Sequence, residues 1–395
     1  MKNFKILFLI LIVFLVGCNK RIDTSIIDDS YYILDDYGIL ILCKETEQES
    51  YKKSIAKLKG NTNIIKLAVT DLKQMEQSAK IRNALGIAYL RLRQFDISIN
   101  YFNKALEMAD NEEEKASILN NITVCENYLE NKTEDSNKYI EVSLNEINDP
   151  ILKLVIKSNF LAEELNKKED FLNTIADAKK LLKEEKRLLG SNQFIGIYNY
   201  KTLATACYAA DNMKKCDYYI NQALKINKDI YQYKFVDSFL YSTYSFYFRY
   251  SDAEKSLDKQ DICIKILEEY QGKDYYDLMC AYSLRGNIYF ENNEVDKAIA
   301  DYQLILNRCS LDNTWVPIAY YNLGDAYNNT IEANKAIDFY AKAYWLWNQE
   351  GWVELNIKIK ENLEKIYKGS GGSDEVFEKW FQEQIGKAEK ELKSL

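Results

Sequence analysis

The sequence predicts an all-α fold in which antiparallel helix pairs stack side by side into a right-handed solenoid. Two observations predict it. Of 395 residues only 14 are glycine and 2 are proline, too few to turn the many strands of a large β protein. A pattern of small and aromatic residues also returns at a spacing near 34 residues, the mark of an array whose units cannot bury their apolar faces alone.

The first element is an export signal. Lys2 and Lys5 give a positive start, and Ile6 to Val16 is an uncharged apolar run of eleven residues. That is far short of the roughly 20 residues needed to span a bilayer as a helix. Gly17 is the small residue before a cleavage point. The closing segment Leu15-Val16-Gly17-Cys18 resembles the lipobox of bacterial lipoproteins. The resemblance implies removal of residues 1–17 and lipidation of Cys18, whose acyl chains hold the protein on a membrane. Asn19, where aspartate would signal inner-membrane retention, leans towards the outer membrane in a two-membrane host. In a one-membrane host the location is the outer face of the cell membrane.

Residues 18–60 form a tether and an ambiguous cap. The run Ile39-Leu40-Ile41-Leu42-Cys43 fits a strand or a buried helix, and its length does not decide. Residues 45–59 and 62–78 read as helices.

The repeats follow, over residues 61–368. Asn83-Ala84-Leu85-Gly86, Ala88-Tyr89, Phe95, Ser98-Ile99, Phe102 and Ala105-Leu106 set the pattern. Tyr282, Gly286, Tyr289, Val295, Ala298-Ile299, Tyr302 and Ile305 repeat it, as do Tyr320, Leu323-Gly324, Ala326-Tyr327, Ala333, Ala336-Ile337, Tyr340 and Ala343. Tyrosine follows each glycine by three, a small residue by twelve and an aromatic by sixteen. These segments resemble the tetratricopeptide repeat (TPR), a 34-residue pair of antiparallel helices A and B, which implies a TPR-like α-α superhelix. Glycine inside helix A costs about 1 kcal/mol against alanine, and close approach of helix B accounts for it. A looser copy has Leu203-Ala204, Cys207, Met213, Cys216 and Ile220 at the same spacing. Residues 113–146, 151–189 and 231–270 continue the array irregularly. Between Gly286 and Gly324 the interval lengthens to 38, with the extra residues around Ser310 to Thr314. A helix from Trp352 to Tyr367 precedes a flexible break at Gly369-Ser370-Gly371-Gly372. In the last segment, 369–395, Phe377, Trp380, Phe381, Ile385, Ala388 and Leu392 line one side of a helix that caps the array or docks on a partner.

Composition narrows the function. The net charge of -8 argues against nucleic acid, and mixed charges along the chain show no steering patch. The absence of histidine removes His-based triads and His-containing metal sites. After Cys18, seven cysteines remain without a C-x₂-C pair. They read as buried free thiols, or as thiols with one disulfide between repeats. No catalytic element, cofactor or metal is indicated, and the reading is a non-enzyme.

The TPR resemblance implies a groove along the A helices that takes a protein or peptide ligand. Its positions fall on Lys80, Asn83, Ile87 and Arg91, and on Tyr198, Lys201, Thr205 and Tyr208. They continue at Ser283, Asn287, Phe290 and Glu291, then at Tyr321, Asp325, Asn328 and Asn329. Asn83, Lys201, Asn287, Glu291, Tyr321, Asp325 and Asn328 are the candidates for binding. Asn287 and Asn322 fit a carboxylate clamp of chaperone-binding relatives, but Thr205, Asn83 and Ile87 break that clamp. The expected function is a membrane-anchored protein-interaction scaffold of the bacterial envelope. The alternatives are a receptor for peptide or glycan, for which Tyr241, Tyr244, Tyr247 and Tyr250 would form an exposed cluster, and an assembly or secretion accessory.

Overall fold

The structure is a computed structural model that describes residues 26–28, 31–33, 40–42, 47–129, 144, 147–167, 171–190, 194–231, 234–271, 276–330, 332–350 and 353–394. Cys18 and the signal lie outside the described residues. Within the ambiguous run, Leu40–Leu42 is a strand. Strands β1 (Ile26–Asp28), β2 (Tyr31–Ile33) and β3 (Leu40–Leu42) form an antiparallel sheet in that order. Tyr31 lies opposite Leu42 and Ile33 opposite Leu40.

From residue 49 onward the described elements are helical, as the composition predicts. In the first compact unit, residues 1–240, helices α1 (Glu49–Lys57) and α2 (Thr62–Lys73) pair. Then come α3 (Ala79–Arg91), α4 (Phe95–Leu106), α5 (Glu112–Leu129), α6 (Pro150–Lys167), α7 (Phe171–Leu189), α8 (Phe194–Ala209) and α9 (Met213–Ile226). A π-helical turn, Asn227–Tyr231, leads to α10 (Lys234–Phe248), inside which the second unit begins at Tyr241. That unit holds α11 (Ala253–Gln271), α12 (Tyr276–Glu291), α13 (Val295–Arg308), α14 (Trp315–Asn328), α15 (Ala333–Glu350), α16 (Val353–Gly369) and α17 (Asp374–Leu392).

Short polar residues start the helices by capping free N–H groups. Asn61 accepts from the backbone N–H of Ile64 at 3.1 Å and Asn111 from that of Glu114 at 2.9 Å. Asp149 accepts from Leu152 at 2.9 Å, with Pro150 at the first helical position, where no N–H is needed. Between paired helices one residue takes the left-handed conformation. It falls seven positions after the small residue of helix A: Arg93 (φ 59°), Asp211 (φ 54°) and Asn293 (φ 62°). The next residue then bonds back to helix A, as Glu294 N–H does to the Tyr289 carbonyl at 2.8 Å.

The glycines have the job the spacing assigns them. A Cβ on Gly86 would sit 2.4 Å from the Phe102 ring, one on Gly286 2.5 Å from Tyr302, and one on Gly324 2.5 Å from Tyr340. Each ring is the aromatic sixteen residues on, fully buried against the bare backbone of helix A. Ser98 adds a hydrogen bond to the Gly86 carbonyl at 2.7 Å from the small position of helix B. Side by side, Tyr89 stacks on Tyr101 at 5.3 Å and 9°, and Tyr327 on Phe339 at 5.3 Å and 15°.

Some expectations change. The stretch 369–372, expected as a break, closes a tight turn. Gly371 has φ 89°, Gly372 N–H bonds to the Tyr367 carbonyl at 3.0 Å, and a Cβ on Gly372 would overlap the Tyr367 ring at 2.2 Å. Helix α17 folds back as a cap, burying Phe377, Phe381 and Leu392 with Trp347, Ile359 and Leu363. The proposed exposed tyrosine cluster does not exist, because Tyr244 and Tyr247 are buried. Tyr250 is 69% exposed and its hydroxyl bonds Glu291 at 2.8 Å. Cys125, Cys207, Cys216 and Cys263 are buried free thiols. Burial pushes Cys125 up to about 11 and Cys216 up to about 12, so both stay protonated and unreactive.

Candidate functional site

In the C-terminal unit, helices α12, α14 and α16 share a connected set of polar side chains. The chain of causes starts at the glycines. The ring that lies over Gly286 or Gly324 is tyrosine, and its hydroxyl reaches the residue after that glycine. Tyr302 donates to Asn287 Oδ1 at 2.7 Å, and Tyr340 donates to Asp325 Oδ1 at 2.5 Å. Asn322 Nδ2 reaches back to Asn287 Oδ1 and to Ser283 Oγ, both at 3.4 Å. Asn362 of α16 donates to the Tyr340 hydroxyl at 3.3 Å. Tyr321 packs on Tyr340 and Trp347, with the Lys358 ammonium 5.4 Å from its ring centre.

Burial raises the pKa of the Tyr302 and Tyr340 hydroxyls, so each remains a donor. Burial also raises the Asp325 carboxyl, against the hydrogen bond from Tyr340 and the charge of Lys358. A carboxyl raised in the folded chain gives stability that is complete below its ordinary value of 3.8 and lost as pH climbs through the folded value. Asp325 therefore works against the fold at neutral pH. Asp325→Asn, which keeps an oxygen for Tyr340, is expected to melt higher than the wild type at pH 7. The gain should vanish below pH 3.8 in a melting series against pH.

The structure brings together Asn287, Tyr321 and Asp325 of the expected groove, each half-buried. Asn328 stands exposed at the end of α14. Glu291 is held by Tyr250 at 2.8 Å and Arg249 at 3.6 Å. Asn83 is not offered to a ligand. It is 4% exposed, and its carbonyl oxygen accepts from Asn121 at 2.9 Å. That bond begins a buried carboxamide chain in the first unit, in which Asn120 reaches Asn121 and Asn159 reaches Asn120 at 2.8 Å. Asn121 of α5 thus occupies the position that the repeat pattern leaves open. Lys201, also in the first unit, lies 3.9 Å from the Phe239 ring centre. Sequence reasoning missed Lys358 and Asn362, because α16 lacks the repeat's glycine. The signal it could have used is the pairing of tyrosine at sixteen with a polar residue at one, Asn287 or Asp325, where Phe102 is paired with Ile87.

Among the described residues no three Cys, Asp or Glu side chains are grouped to hold a metal ion. No described helix is long and apolar enough to cross a membrane.

Residues 79–112, helices α3 and α4 with their turns, match the tetratricopeptide repeat family model. The chain thus carries a tetratricopeptide repeat, and α12–α13 and α14–α15 repeat its glycine-to-aromatic contact. No curated protein matches the sequence. Similar solved structures include BtubC (BKLC) from P. vanneervenii, at 12% identity and a TM-score of 0.36 over 66% of this chain and 91% of that one. Another is a signal transduction ATPase with numerous domains that carries a tetratricopeptide repeat sensor, from Pyrococcus horikoshii. It has 17% identity and a TM-score of 0.48, and it covers 80% of this chain and 55% of that one.

Proposed function

We propose that the protein is a lipid-anchored scaffold of the bacterial cell envelope that holds a protein partner along α12, α14 and α16. The observation that carries the reading is the carboxamide ladder Asn287–Asn322 beside Asp325 and Tyr321, with the exposed Asn328 at its edge. These hydrogen bonds use Asn287 through its carbonyl oxygen and Asn322 through its amide N–H, which leaves the Asn287 N–H groups and the Asn322 oxygen to suit the alternating donors and acceptors of an extended backbone. The aromatic Tyr321 beside them supplies apolar contact at little entropic cost. Tetratricopeptide repeats as a class mediate protein binding, which supports a protein ligand.

Anchoring rests on the lipobox at Cys18. Two measurements test the reading. In Triton X-114 partition the wild type should enter the detergent phase and Cys18→Ser the aqueous phase or the uncleaved precursor band. A photoreactive side chain at position 328 should give one dominant adduct in living cells, lost when Asn287 and Asn322 are both changed to alanine. An adduct pattern indifferent to those changes contradicts the groove assignment.

A further inference from the structure

Read along the chain, the charges of residues 171–189 are mixed and show no patch. The helix sorts them. Its buried side carries Thr174, Ala178, Leu181 and Glu185, which turns one acidic residue inward. At 100° per residue, Lys179, Lys180, Lys183, Lys186 and Arg187 fall in a sector of about 120° on the opposite side. All five are exposed. Asp177 and Glu184 fall on its flank, where Asp177 pairs with Lys180 at 2.7 Å. Among the described residues no carboxylate pairs with Lys179, Lys183, Lys186 or Arg187. The stripe also carries Leu172, an apolar side chain 76% exposed. From residue 172 to 187 it runs about 22 Å.

We infer that the outer face of α7 docks on an anionic phospholipid surface. Charge complementarity selects the occupant. The chain carries a net charge of -8, so an anionic bilayer repels it as a whole and accepts it through this stripe. Five cations with an exposed leucine in one straight sector also fit the boundary between headgroups and acyl chains. A nucleic acid would be met by aromatic side chains for stacking, and the stripe has none.

The test is lysine acetylation of the full chain, read by mass spectrometry, on vesicles of phosphatidylcholine alone and with about 30% phosphatidylglycerol. Acetylation of Lys179 and Lys183 should slow about threefold or more on the anionic vesicles only, and about 0.5 M salt should remove the difference. Lys379, exposed on α17, serves as the unchanged control. The double variant Lys183→Glu/Arg187→Glu, with helicity checked by circular dichroism, should abolish the protection of Lys179. Equal rates on the two vesicle types overturn the inference, as does protection by an oligonucleotide or an acidic protein that the vesicles do not give. Because both arms use the same chain, the outcome is independent of the state of Cys18.

Discussion

Tyr340→Ala is expected to destabilise the C-terminal unit by about 3–5 kcal/mol, the range for removing a fully buried aromatic ring. The ring is the contact that fills the space above Gly324, and no neighbouring side chain can replace it without moving α14 or α15. Its loss also strips Asp325 and Asn362 of their shared partner. For a domain of 150 to 250 residues, roughly 2–4 °C accompanies each kcal/mol, so the melting of this unit should fall by roughly 6 to 20 °C. Tyr340→Phe separates the two contributions. It keeps the ring and removes the hydroxyl, and it should cost about 1–3 kcal/mol from the unsatisfied Asp325 oxygen. Calorimetry of the two variants checks both values. If Tyr340→Ala were no worse than Tyr340→Phe, the ring would not be what holds the pair.

The second large effect concerns a buried ion pair. Arg285 binds Asp301 through two hydrogen bonds, at 2.8 Å and 2.6 Å, and reaches Asp261 at 2.7 Å. Burial disfavours the charge on Arg285, but its hydrogen bonds and attraction to Asp301 and Asp261 prevail and raise its pKa. Asp301 is buried, so Arg285→Leu leaves a carboxylate without its donors and should cost about 3–5 kcal/mol. The other copies show the alternative. At the positions of Arg285 and Asp301, one residue before and fifteen after the glycine, they carry Leu85 with Tyr101, Leu203 with Tyr219 and Leu323 with Phe339. The double variant Arg285→Leu/Asp301→Phe restores that apolar pairing. It should recover most or all of the loss, since a buried ion pair replaced by packed apolar groups is often neutral or better. Denaturant unfolding of the two singles and the double measures the coupling.

These pairs show what the sequence made legible and what it did not. Gly86, Gly286 and Gly324 announced themselves, because each recurs at a fixed spacing from a tyrosine, a small residue and an aromatic, a pattern that a close helix crossing accounts for. The array, its lengthened loop after Cys309 and the apolar side of α17 followed from the same periodicity. The N-terminal sheet did not follow, since the five-residue run at Ile39 has no period long enough to distinguish strand from helix. Asn83 was misplaced because a groove position is open only if the next helix pair leaves it open, and Asn121 of α5 occupies it. The face along α12, α14 and α16 was half legible. Asn287, Tyr321 and Asp325 came from the repeat pattern, while Lys358 and Asn362 sit on a helix that has lost it. The turn at Gly371-Gly372 looked flexible by composition, yet its two glycines answer separate demands, a positive φ and a ring in contact.

Everything rests on the claim that a missing side chain lets paired helices nest. Thermal unfolding of Gly286→Ala and Gly386→Ala tests it most directly, because the same substitution is made in two helices. At Gly386 of α17 nothing lies within 4 Å of the new Cβ, so helix propensity alone should stabilise the protein by about 1 kcal/mol. At Gly286 that gain is opposed by overlap with the Tyr302 ring, where overpacking costs about 1–3 kcal/mol, and the expected result is net destabilisation. A rise in melting temperature for Gly286→Ala as large as that for Gly386→Ala would contradict the account.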